Sequence, residues 1–235
     1  MSDRISGLTR PTRREFLGLV PGALAAANAI AGVPAVREYR RGGMVYRQLG
    51  RTGLDVSLLS FGSHTDPADK IKEGPGKTVL TEQGQGRRDR IIARAFDLGV
   101  NLLDVYATEG QWEPAARMVK GRRNKILISL AHNTTPKDID DACRLFGHVD
   151  LYRFHTAEID GPTLGSWDIM RRAKEAGKIR AIGIATHIER TMTMALDELE
   201  GIDYLFFPYN FIHARADYSQ FLPAAIRQGV GLIAM

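Results

Sequence analysis

From Met44 to the last residue, short β-branched and aromatic runs alternate with amphipathic stretches, and this alternation limits the fold more than any other feature. The amphipathic stretches are Arg88–Leu98, Glu113–Val119, Ser166–Ala176, Thr191–Leu199 and Tyr218–Gln228, with apolar residues at i, i+3 and i+4. Seven strand candidates separate them: Leu58–Gly62, Asn101–Val105, Ile126–Leu130, Asp150–His155, Ala181–Ala185, Tyr204–Pro208 and Gly231–Met235. Strand–helix–strand repeats bury both faces of a parallel sheet, so the class is α/β. Gly99, Gly177 and Gly229 follow three of the helices, where a C-terminal cap needs a left-handed residue. Ahead of the repeats, Tyr46–Leu49 and Leu54–Val56 flank Gly50-Arg51-Thr52-Gly53 as a hairpin would. At roughly 30 residues per unit, the count falls one short of an eight-stranded barrel. The last candidate ends on Met235, and an open edge there would leave backbone groups unpaired. The expectation is a barrel whose C-terminal part is missing from the sequence.

Residues 1–15 are polar and basic, Phe16–Gly32 is apolar and rich in small residues, and small-x-small cleavage sites end at Ala31 and Ala35. That is the layout of a secretory signal. Pro21, Gly22 and Asn28 interrupt the apolar run, so no stable membrane span is expected. Thr12-Arg13-Arg14-Glu15-Phe16-Leu17-Gly18 resembles the bacterial twin-arginine export motif. A basic tail running into an ordinary helix is the alternative. The resemblance implies a signal peptide over 1–35, a linker over 36–43, a barrel over 44–235, contact with the export machinery and a periplasmic destination. Substrates of that route cross already folded, so a nicotinamide enzyme among them would carry its cofactor tightly held.

The net charge of +5 does not argue for nucleic acid, because Arg4, Arg10, Arg13, Arg14, Arg37, Arg40 and Arg41 all precede residue 42. No basic run interleaves with aromatics either. One cysteine, Cys143, excludes an internal disulfide and a cysteine-held zinc or iron–sulfur site; its helical surroundings make it a packing residue.

Several segments resemble the aldo-keto reductase superfamily. They are Tyr46-Arg47-Gln48-Leu49-Gly50-Arg51-Thr52-Gly53-Leu54, Gly99-Val100-Asn101-Leu102-Leu103-Asp104, Asp150-Leu151-Tyr152-Arg153-Phe154-His155, Gly177-Lys178-Ile179-Arg180-Ala181-Ile182-Gly183, Pro208-Tyr209-Asn210 and Gly231-Leu232-Ile233-Ala234-Met235. The resemblance implies an incomplete (β/α)8 TIM barrel, an NADP(H)-dependent oxidoreductase and a small carbonyl or alcohol substrate, possible sugar-like molecules included. It also implies an Asp, a Tyr, a Lys and a His at strand ends, the Tyr giving a proton to the carbonyl oxygen. Asp104 and His155 fall on matching positions, but Glu109 stands at the Tyr position and Ala131 at the Lys position. The remaining proton donors are Glu109, whose burial near Asp104 would favour the protonated form, and Tyr106, which lacks that lysine. For the cofactor, Thr186, Tyr209 and Asn210 are the candidate positions, with Ala185-Thr186 standing where relatives carry Ser-Asn and Phe206 where they carry a Gln.

Five of the six histidines lie at or beyond strand ends: His64, His132, His155, His187 and His213. Barrel chemistry gathers on that rim, and imidazoles with a carboxylate form a divalent-metal ligand set. His64, His132, His187 and His213 are therefore metal-ligand candidates for a hydrolase, lyase or isomerase, or simply polar rim residues. A non-catalytic ligand-binding relative is the third reading. Asp66–Gly86, with Gly74-Pro75-Gly76-Lys77, lacks apolar periodicity and reads as a solvated loop or a rim lid. Trp112 is placed either to stack on a sugar face or to pack on its helix.

Overall fold

The computed structural model describes residues 36–235 apart from 63, 75–76, 107–109, 133 and 215–219. The expected signal peptide over 1–35 and the candidate donor Glu109 lie outside the described residues.

Three short strands come first: β1 (Glu38–Arg41), β2 (Met44–Gln48) and β3 (Asp55–Ser57), all antiparallel in the order β1-β2-β3. The hairpin expected from Tyr46 to Val56 is β2–β3, and β1 falls within the stretch taken for a linker. A short 3-10 turn (Pro67–Asp69) leads into a second hairpin, β4 (Lys70–Gly74) and β5 (Lys77–Leu80).

Alternation then begins: α1 (Glu82–Asp97), β6 (Leu102–Tyr106), α2 (Trp112–Val119), β7 (Leu127–Ala131), α3 (Pro136–Phe146) and β8 (Val149–His155). It continues through α4 (Gly161–Glu175), β9 (Ile179–Ala185), α5 (Glu189–Glu198), β10 (Tyr204–Phe207), α6 (Phe221–Arg227) and β11 (Gly231–Ala234). Among the described residues, β6 to β11 form one parallel sheet in sequential order, the curled sheet of an incomplete β/α barrel. Thr81, Thr135 and Asp160 cap α1, α3 and α4 by accepting a backbone N–H two or three residues into the helix. Gly99, Gly177 and Gly229 follow their helices at φ of +96°, +73° and +67°, as expected of caps.

Two expectations need correction. Leu58–Gly62 is not a strand; it makes one parallel bridge, Phe61 to Leu103, and leaves Leu58 and Leu59 exposed. Among the described residues the run keeps only that bridge and the bond from Leu58 N–H to the Val45 carbonyl, so no ladder extends along it. Asp66–Gly86 is not a loop without structure, because Lys70–Gly74 pairs antiparallel with Lys77–Leu80. Its sequence lacks apolar periodicity, so the pattern that reveals the other strands does not reveal this backbone pairing.

Strand side chains alternate between two cores. Outward residues such as Leu103, Ile128, Tyr152, Ile184 and Leu205 pack under the helices with Trp167, Met170 and Phe221. Inward residues Leu102, Leu151, Ala181, Tyr204 and Phe206 pack with Leu49, Leu54 and Val56 of the first hairpin. The hairpin thus plugs the end of the barrel where strands begin. Arg51 fixes it there, its guanidinium donating to the carbonyls of Gln228 and Ile202. Gly50 (φ +50°) allows this seat, since a Cβ would lie 2.4 Å from the Gly231 nitrogen. No helix among the described residues is long and apolar enough to cross a membrane.

Candidate active site

The strands of a β/α barrel deliver inward side chains to its C-terminal rim. On β6 the inward residues are Leu102, Asp104 and Tyr106; on β7, Leu127, Ser129 and Ala131; on β8, Leu151, Arg153 and His155. The ladder sets them level, pairing Asp104 with Ser129, Tyr106 with Ala131 and Ala131 with Arg153.

One layer below the rim lies a dry charged cluster. Arg153 is fully buried and grips Asp104 with two prongs, Nη1 to Oδ1 at 2.6 Å and Nη2 to Oδ2 at 2.9 Å. Ser129 Oγ donates to Asp104 Oδ1 at 2.7 Å and accepts from Arg153 Nη1 at 2.7 Å. Arg153 Nη2 also donates to the Tyr106 hydroxyl oxygen at 3.2 Å. The guanidinium stacks on Phe206, 4.1 Å from the ring centroid, and lies 5.3 Å from the Tyr106 ring. Burial alone would drive Arg153 toward its neutral form. The Asp104 charge and hydrogen bonds overcome that and hold its pKa above the ordinary value. Gly183 makes the room, because a Cβ there would sit 2.3 Å from the Tyr204 carbonyl oxygen and 2.8 Å from its ring.

Sequence reasoning found Asp104 and Tyr106 but missed Arg153. The available signal was parity: Arg153 lies two residues from His155 and from Leu151, so it shares their inward face. An arginine inside an otherwise apolar strand needs a buried acid, and the resemblance places Asp104 at a strand end of the same barrel.

On the rim itself, His155 and His187 approach each other with ring centroids 5.5 Å apart. Partial burial lowers the His155 pKa, and the nearby His187 and Arg153 charges lower it further. His64 lies 5.5 Å from the Tyr106 ring, on a segment held by Arg88, which donates to the carbonyls of Gly62 and His64. His132 points away from this group: its ring meets Trp112 edge-on at 5.2 Å, and its Nε2 lies 3.3 Å from Asp138. Trp112 packs against the outer core, in keeping with the second of its two readings. His213 belongs to the loop after β10, where its backbone N–H donates to Asn210. The candidate ligands His64, His132, His187 and His213 are therefore spread over separate contacts. Among the described residues no group of three His, Cys, Asp or Glu side chains could hold a metal ion.

The three candidate cofactor residues differ. Thr186 is fully buried, and its hydroxyl accepts from the Ile188 N–H. Asn210 gives its side-chain oxygen to the N–H groups of Ile212 and His213. Tyr209 and Asn210 are both exposed, and Tyr209, at 38%, is the aromatic one of the three. A part-exposed aromatic ring fits the flat ring of a nicotinamide; the Thr186 hydroxyl, already accepting from Ile188, does not fit its amide.

The aldo/keto reductase family model matches residues 86–235. No curated protein matches the chain in sequence. Among solved structures, the holo form of an aldo-keto reductase from Bacillus halodurans superposes with a TM-score of 0.65 at 22% identity, covering 80% of this chain and 65% of that one. A glycerol dehydrogenase from Gluconobacter oxydans gives 0.62 at 18% identity, covering 83% of this chain and 63% of that one. The chain thus spans somewhat under two thirds of the length of either protein.

Proposed function

Because the chain belongs to the aldo/keto reductase family, we propose that it is an oxidoreductase interconverting a small carbonyl compound and its alcohol, with sugar-like molecules as first substrates to try. The observation that carries this reading is that Tyr106 and His155 share the inner face of one parallel sheet at its C-terminal end, with Asp104 one layer below on the same face. That is the rim on which barrel enzymes work. His155, kept neutral by its surroundings, is suited to donate a hydrogen bond to the substrate oxygen. Tyr106 and Glu109 are the two groups able to move a proton to or from that oxygen. The exposed Tyr209 ring is the platform for the nicotinamide, with NADP(H) the expected form. When bound, the reduced nicotinamide supplies hydride to carbon, so the protein supplies only the proton for oxygen.

The leader also belongs to this reading. Residues 1–35 direct export through the twin-arginine route, and a folded enzyme would carry its cofactor tightly bound to the periplasm. A fusion of residues 1–35 to a reporter should be exported, and replacing Arg13 and Arg14 by Lys should block it.

The decisive experiment is NADPH oxidation by the purified full chain against a panel of aldehydes, ketones and sugar aldehydes. Carbonyl-dependent oxidation is expected, with His155→Asn raising KM. No turnover across the panel, together with no NADPH binding by fluorescence, would reject the reading.

A further inference from the structure

We infer that the outer edge of β1 pairs with the same edge of a second copy of this chain. A two-fold axis then joins the three strands of each copy into one antiparallel sheet. Whether the barrel turns over a carbonyl has no bearing on this edge.

β1 is the outermost strand of its sheet, and its four residues are all exposed. Two backbone bonds settle which of its polar groups point outward. The Gln48 N–H donates to the Arg37 carbonyl, so residues 37 and 48 exchange bonds, and alternation makes 39 and 46, then 41 and 44, do the same. The Leu58 N–H donates to the Val45 carbonyl, so Val45 turns to β3 and away from Arg40, its neighbour on β1. The N–H and C=O groups of Glu38 and Arg40 therefore face away from β2, and among the described residues they meet no partner. An edge strand with such groups open is a template for another strand.

Two copies can join these groups in three symmetric registers, and charge separates them. Glu38 opposite the partner's Glu38, or Arg40 opposite the partner's Arg40, sets like charges face to face. Glu38 opposite the partner's Arg40 is attractive, and the symmetry makes that pair twice. Arg40 is exposed and has no acid of its own among the described residues. Glu38 holds Arg47 at 2.6 Å on the same face, and its carboxylate has lone pairs for a second guanidinium. In this register Tyr39 lies directly opposite the partner's Tyr39, at a site that exchanges no backbone bonds and brings side chains closest. Tyr39 stacks on Tyr46 with ring centroids 5.2 Å apart, yet is 39% exposed, so an aromatic ring has room to cover it. Arg37 also comes opposite the partner's Arg41, but both types are engaged elsewhere. Asp55 holds Arg37 at 2.5 Å, and Arg41 lies over the Tyr46 ring at 5.0 Å.

The test is the association state of the full chain, followed by sedimentation over a range of concentrations. A monomer and a dimer in exchange are expected. Arg40→Pro removes, of the backbone groups, only an outward N–H, so it should keep the β1–β2 hairpin and abolish the dimer. Arg40→Glu turns both cross-pairs repulsive and should raise the dimer Kd at least about 10-fold, whereas Arg40→Lys should change it less than about 3-fold. Cross-linking reads the register. In a Cys143→Ser background, Tyr39→Cys should form an intermolecular disulfide under mild oxidation, while Glu38→Cys and Arg40→Cys, set too far from their own copies, should not. The Arg40 amide should resist hydrogen exchange only at concentrations where the dimer forms. A chain that stays monomeric at its solubility limit would overturn the pairing and leave the charges as guards of the edge. A dimer indifferent to both Arg40→Pro and Arg40→Glu would overturn it too. So would an Arg40 amide protected equally at every concentration, since the edge would then be covered from within the chain.

Discussion

The barrel buries acidic side chains in two places, and they are built on different rules. Beneath the rim, Asp104 and Arg153 are 6% and 0% exposed and depend on each other. At the opposite end, where β8 begins, Asp150 is equally dry, but its cations are not. Arg123 and Arg180, at 20% and 48% exposure, both approach it at 2.8 Å, and His148 stands 3.4 Å away. Its second oxygen also accepts the N–H of Ile128 at 2.9 Å. Asp203 repeats the scheme one strand pair on, accepting from Ile182 N–H and from Lys174. The lower acids staple neighbouring strands and draw on part-exposed cations, Arg123 and Arg180 at Asp150 and Lys174 at Asp203. The upper acid has one dry cation, which also reaches a hydroxyl on the reactive side. Part-exposed cations mark the scaffold; a fully buried one marks the site.

That contrast can be broken. Arg153→Met strands Asp104 in a dry interior and should cost about 3–5 kcal/mol, read as a lower urea midpoint of the full chain. A loss below about 1 kcal/mol would mean that the upper pair is as well backed as the lower one. Asp150→Ala removes the acceptor of Ile128 and of two guanidiniums, and about 1–3 kcal/mol is expected from the orphaned buried N–H. Arg180→Met leaves Asp150 with Arg123, so at most about 1 kcal/mol should be lost. A loss as large as that of Asp150→Ala would contradict the redundancy.

The smallest effect concerns the rim. His155 has a lowered pKa, so its protonated form is disfavoured in the fold. The resulting stability is fully present above the unfolded midpoint of about 6.5 and is lost as pH falls through the lower folded midpoint. His187→Gln removes one of the opposing charges. The His155 midpoint, followed by NMR of its ring protons, should rise, and the acid loss of stability should shrink. An unchanged midpoint would mean that burial and Arg153 alone set it.

Much of this architecture is legible in the sequence. Strands β6, β8 and β9 and the glycine caps at 99, 177 and 229 announce themselves because burial and backbone sterics leave few alternatives there. Leu58–Gly62 misleads because its leucines are apolar yet exposed, and apolar character alone cannot supply a ladder partner. The β4–β5 hairpin is silent because Ile71 is exposed and Thr78, Val79 and Leu80 are only half-buried. Within the site, Asp104 and His155 come from resemblance, while Arg153 hides inside the same matching string, between Tyr152 and Phe154. Residue type by residue type it looks like a surface charge; only the inward parity of β8 and the need of Asp104 for a partner place it. The histidine pattern shows the opposite failing. Position at a strand end puts a side chain on the rim, but direction depends on what each loop packs against, and His132 turns to Trp112 and Asp138.

Gly183 ties these pieces into a heritable unit. The hydrogen at that α-carbon is what lets the Tyr204 ring and the Arg153 side chain share one cross-section of the barrel. A chain that gained a methyl group at 183 would evict the aromatic ring before it touched any reacting atom. In a mutational library, therefore, positions 153, 183 and 204 should not drift independently. Descendants that keep the arginine should keep the glycine, and the record of one change should predict the others.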